Sequence, residues 1–125
     1  MKVTIPVSLG ELYDKQTILR IKTERIKDTE KLINIQKELD LLIKIIDEHP
    51  INDPILYELY NVNNRLWAVE DNLRDREHKQ LFDEGFINSA RLVYQLNDRR
   101  SEIKKEINLK YSSDITEEKS YTKYK

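Results

Sequence analysis

The chain of 125 residues predicts an all-α fold, an antiparallel bundle of about four long helices with a short extended N-terminal arm and a polar C-terminal tail. Three observations predict it. Apolar residues recur at three-four spacing through four stretches, the period of an amphipathic or coiled-coil helix. The 2 glycines and 3 prolines fall at or near the joins of those stretches. Apolar residues make up 38% and charged ones 36%, so the chain is polar yet carries the Ile and Leu that disordered chains lack. A chain of this length fits one core. Residues 1–111 therefore read as a single helical domain, and 112–125 as a polar tail able to fold back on it.

The arm comes first. Val3 to Val7 run apolar around Pro6, which cannot donate to a ladder, so the segment is expected to lie extended over helix ends. Ser8-Leu9-Gly10-Glu11 then matches a capping box, in which the Ser hydroxyl and the Glu carboxylate each satisfy an orphan amide. The first helix runs from there to about Ile26, with Leu12, Leu19 and Ile26 spaced by seven and Ile18 and Ile21 widening the stripe.

Asp28 caps a second helix from about Thr29 to Glu48, where Leu32, Ile35, Leu39, Leu42 and Ile46 keep the three-four spacing without a gap. Ile43 and Ile45 beside that seam give a face wide enough for a bundle. The helix ends ahead of Pro50. Asp53-Pro54 reads as a cap followed by proline at the first helical position, where a missing amide hydrogen costs nothing. The third helix carries Ile55, Leu59, Val62, Leu66, Val69 and Leu73, with Tyr60 and Trp67 on the shoulder. The stretch from His78 to Gly85 breaks the seam. A fourth helix from Phe86 to Tyr111 carries Phe86, Ala90, Val93, Leu96, Ile103 and Ile107, with Arg100 where another apolar residue is expected.

Composition excludes several functions. Lysine and arginine number 22 against 23 acidic residues, a net charge of −1, so no global field draws the chain to nucleic acid or anionic lipid. No stretch approaches the roughly 20 apolar residues that span a bilayer, and the start lacks a leader-like run. The expected compartment is the cytoplasm. Without cysteine there is no thiolate site, and His49 and His78 do not have zinc-site spacing. Two glycines cannot supply the fingerprints of phosphate or dinucleotide loops. Glu11 and Asp14, with Glu70, Asp71 and Asp75, are too sparse an acidic pattern to assign Mg²⁺, so neither metal nor cofactor is expected.

The unusual feature is polar interruption of two apolar faces: Glu11, Asp14, Lys15 and Lys22 on the first helix, and Tyr94, Asn97, Asp98 and Arg100 on the fourth. If these sets face each other, their charges must pair. The network then either rivets the fold or holds a small polar or anionic ligand. Asp98, Glu102 and Glu106 form one charge stripe and Arg100 with Lys104 another.

Four segments also carry a resemblance: Ile5-Pro-Val-Ser-Leu-Gly-Glu-Leu-Tyr-Asp-Lys15 continuing into Ile18-Leu-Arg-Ile-Lys22, Leu66-Trp-Ala-Val-Glu-Asp71, Val93-Tyr-Gln-Leu-Asn-Asp-Arg99 with Lys105-Glu-Ile-Asn108, and Glu117-Glu-Lys-Ser-Tyr121. They resemble a small bacterial and phage family known as a domain of unknown function. The resemblance implies a site at Glu11, Asp14, Lys15, Lys22, Asp71, Tyr94, Asn97, Asp98 and Arg99. It also implies a tail that brings Lys119 or Tyr121 to the same cluster, and a role beside sugar-nucleotide chemistry in cell-surface polysaccharide synthesis. The reading that follows is a non-enzymatic interaction or accessory module whose partner is another protein or a second copy. The alternative is a binder of, or enzyme on, a phosphorylated or sugar-nucleotide ligand.

Overall fold

A computed structural model describes residues 1–124. Four helices follow in order: α1 (Leu9–Arg25), α2 (Thr29–Glu48), α3 (Ile55–His78) and α4 (Glu84–Lys110). At 1.5 Å per residue they run from about 25 to 40 Å. The all-α expectation holds, and the four periodic stretches are the four helices.

The helix starts follow from local chemistry. The Ser8 hydroxyl accepts from the Glu11 amide at 3.0 Å, Asp28 from Lys31 at 3.0 Å, and Asp83 from Phe86 at 3.0 Å. Asp53 accepts from the Ile55 amide at 3.0 Å, while Pro54 already has helical dihedrals, φ −54° and ψ −22°. The ends of α3 and α4 are Schellman turns, in which an amide past the end reaches a carbonyl five residues back. Leu81 donates to the Arg76 carbonyl and Ser113 to that of Asn108, at 2.9 and 2.8 Å. The left-handed residues that make these turns are Gln80, φ 57°, and Ser112, φ 53°. Gly85, expected in the break, lies inside the first turn of α4 instead.

Helix α1 is the centre of the packing and contacts all three others, while α3 and α4 form the most extensive pair. The main core joins Leu12 and Tyr13 of α1, Ile46 of α2, Leu59, Val62 and Leu66 of α3, and Leu96, Ile103 and Ile107 of α4. A smaller cluster of Leu19, Ile35 and Leu39 holds α2 to the far half of α1. Among the described residues the α2 backbone approaches no helix other than α1. Ile43 and Ile45, expected to widen its buried face, are exposed. The three-helix packing of α1, α3 and α4 thus carries most of the core, and α2 is a flank. The N-terminal arm also departs from expectation, because Met1 through Val7 are exposed rather than laid on helix ends.

Tyr13 ties the α2–α3 connection to this core. Its hydroxyl donates to the His49 carbonyl at 2.7 Å and accepts from the Ile51 amide at 2.8 Å. Burial pushes this phenol above its ordinary pKa. No described helix is long and apolar enough to cross a membrane.

Candidate functional site at the α1 and α4 interface

The site begins with a close backbone approach. Gly10 faces α4 so tightly that a Cβ there would lie 2.5 Å from the Lys104 carbonyl oxygen. Only glycine fits. The approach lets α4 satisfy amides at the start of α1, which have no intrahelical acceptor. Gly10 donates to Asn108 Oδ1 at 2.7 Å, and Leu9 donates to Ser113 Oγ at 3.1 Å. The expected capping box is therefore only half made. Ser8 takes the Glu11 amide, but the Glu11 carboxylate turns to Lys104, 2.7 Å away.

One turn further on, Asp14 is fully buried, with 0% of its surface exposed. A buried carboxylate must be paired. Arg100 grips it with two parallel bonds, Nε to Oδ1 at 3.0 Å and Nη2 to Oδ2. The Asn63 side-chain amide donates to Oδ1 at 2.9 Å, and Lys104 Nζ stands 3.8 Å from Oδ2. Asp14 in turn holds the Arg100 guanidinium above its ordinary pKa. Among the described residues no buried side-chain nitrogen or oxygen lacks a partner, so the cluster is closed.

Beside it lies an open groove of about 670 Å³, lined on the α4 side by Tyr94, Asn97, Asp98, Arg100, Ser101 and Lys104. Its other wall is residues 112–124, which leave α4 at the Ser112 turn and run back along it without regular secondary structure. This strap is fastened by side chains. Glu117 meets Lys104 at 3.3 Å and Glu118 meets Lys105 at 3.2 Å. The Tyr124 hydroxyl donates to Asp98 Oδ2 at 2.6 Å, while its ring meets Tyr94 edge to face, centroids 4.9 Å apart. The Asp98 bond pushes the Tyr124 phenol up to about 12. Lys119, at 2.6 Å, and then Lys104 hold the Glu117 carboxyl below its ordinary value. Three cations, Arg100, Lys104 and Lys119, face three carboxylates, Glu11, Asp98 and Glu117, around the groove.

The residues expected at the site divide. Glu11, Tyr94, Asn97, Asp98 and Lys119 line the groove, and Asp14 lies in the closed cluster behind it. Lys15 is exposed and reaches Glu11 at 3.7 Å. Lys22 is half-buried two turns along α1, and Asp71 is exposed on α3; neither lines the groove. Arg99 belongs elsewhere: it pairs with Glu58 of α3 and reaches Glu102 and Glu106 at 3.2 and 3.6 Å. Successive helical residues point about 100° apart, so Arg100 and not Arg99 turns toward Asp14.

Asn63, Asn108 and Ser113 belong to the site although sequence reasoning does not find them. A signal exists for the second, because Asn108 closes the Lys105-Glu-Ile-Asn108 segment that carries the resemblance, whereas Asn63 lies beside an unbroken α3 seam.

The family model described as "Family of unknown function (DUF6165)" matches residues 1–124. The chain belongs to this family. No curated protein and no solved structure matches it. The DUF6165 match runs through the strap as well as the helices, so the groove and both its walls lie inside the matched region.

Proposed function

We propose that this DUF6165 chain is a non-enzymatic interaction module of the cytoplasm, with the groove between α4 and the strap as its working surface. One observation carries the reading. The ionic cluster, the natural place for a reactive centre, is taken up by structure, each buried polar atom partnered. The adjoining groove is open and walled by a strap held through side chains that, Lys104 apart, are largely exposed. Catalytic acids and bases keep an uncommitted group within reach of substrate. Asp14 offers none, because its oxygens are taken by Arg100 and Asn63.

A second reading is favoured by the lining itself. Donors and acceptors mix along Asn97, Asp98, Arg100 and Lys104, with Tyr94 and Tyr121 beside them. Such a surface suits a polyhydroxylated or phosphorylated ligand, a sugar nucleotide among them, whose hydroxyls both donate and accept. Thermal shift against nucleotides and sugar nucleotides separates the two readings, since a ligand at a hundredfold its Kd stabilises by about 2.7 kcal/mol. A shift that Asn97→Ala removes while helicity persists would establish the small-ligand reading. For the module, the Glu117→Lys, Glu118→Lys double variant loosens the strap, and added acidic tyrosine-bearing peptide is expected to move amide signals from Tyr94 to Lys105. Silence in both assays would sink both readings.

A further inference from the structure

The strap itself reports what the groove fits. It is an extended, acidic, tyrosine-bearing segment whose fastenings are Glu117 on Lys104, Glu118 on Lys105, and Tyr124 on Asp98 and Tyr94. Every receptor in that set is on α4. The Glu118–Lys105 pair is exposed on both sides, and Glu117 is exposed where it meets the more buried Lys104; exposed pairs hold weakly, so the strap can leave its own bundle.

The point where it turns back is Ser112, whose φ of 53° is left-handed. That conformation is unfavourable for a residue with a Cβ, and straightening the chain there relieves it at the cost of the Ser113 amide's bond to the Asn108 carbonyl. A second copy carries the same strap, so the fastenings that open within one chain re-form between two, and a C₂ pair re-forms them twice. Ser113, just past the hinge, travels with the strap and restores the cap on Leu9 of the receiving chain.

We infer that the α4 groove receives the strap of a second copy, with two chains exchanging residues 113–124 about Ser112 into a reciprocal dimer. This deepens the interaction-module reading and rests on it: it names the same chain as the partner.

The chain has no cysteine, which makes the test clean. Lys105→Cys and Glu118→Cys are made separately; both positions are exposed and lie outside the core. The two full-length variants are mixed over a concentration series and treated with a short bismaleimide. Neither chain can bridge the pair alone, so a heterodimer rising several-fold above a Lys37→Cys plus Glu118→Cys control supports exchange. Ser112→Gly removes the strain that exchange relieves and is expected to lower the dimer fraction about fivefold or more.

A second arm adds a synthetic peptide of residues 112–124 to the full-length Glu117→Lys, Glu118→Lys variant. Peptide binding with no interchain bridging above control overturns the exchange and leaves the groove reading intact. Absence of both peptide binding and bridging overturns both.

Discussion

Asp14 shows how one side chain can look like a site and act as a rivet. It lies at a position where helical periodicity calls for an apolar residue, and it is buried because Arg100 and Asn63 saturate it. Removing one partner of such a pair leaves a stranded charge, so Asp14→Ala is expected to cost about 3 kcal/mol, the low end of the usual range because Arg100 keeps some access to water. Urea unfolding followed by circular dichroism measures it; a loss near zero would return Asp14 to the candidates for function. Asp53 is the other informative acid. The Ile55 amide first, then Lys110 and Tyr111, lower its pKa from an ordinary 3.8 to about 2. Its folded-state pKa lies below its unfolded one, so its stabilisation is complete above the ordinary value and fades as the pH falls toward about 2. Asp53→Asn is expected to show a shallower loss of stability across that interval, read from melting temperature against pH. An unchanged slope would mean the bonds to Lys110 and Tyr111 carry no net stabilisation.

At the scale of elements, α1 and α4 touch through Gly10. Alanine normally gains up to about 1 kcal/mol over glycine within a helix. Here its Cβ would meet a backbone oxygen at 2.5 Å, and backbone cannot move aside as a side chain can. Gly10→Ala is therefore expected to destabilise by about 2 kcal/mol, and to weaken the cap that Asn108 and Ser113 place on α1. Amide exchange at Leu9 and Gly10 reads the second effect, which a purely local packing defect would leave alone. The caps at Ser8, Asp28, Asp53 and Asp83 involve neighbours within three residues. That is why the helix starts at Ser8, Asp28 and Asp53 are legible in the sequence. Sequence reasoning puts the fourth start at Phe86, two residues late, because Gly85 reads as a helix breaker and the Asp83 cap overrides it. The Gln80 turn is not legible either, since a left-handed glutamine is favoured only by the two carbonyls its Schellman turn satisfies.

At the scale of the whole molecule, the uneven packing sets an order of stability. Helix α2 buries Ile35 and Leu39 against α1 and sends only Ile46 into the main core, whereas α3 and α4 each contribute three residues to it. Local opening follows local burial, so hydrogen exchange is expected to find α2 amides exchanging ahead of those around Leu59 and Ile103. Uniform protection across the four helices would contradict the flank arrangement. By itself the sequence determined the number, order and approximate limits of the helices, because hydrophobic period and end caps act within a few residues. It also marked the polar interruptions on the first and fourth helices. Only the tertiary structure decided that Arg100 and not Arg99 meets Asp14, that the α2 backbone lies close to α1 alone while Ile46 reaches the main core, and that residues 112–124 wall a groove. Those facts depend on the rotation of one helix about its axis against another and on contacts between residues as far apart as 14 and 100. A period fixes which residues share a face, but not which face it meets.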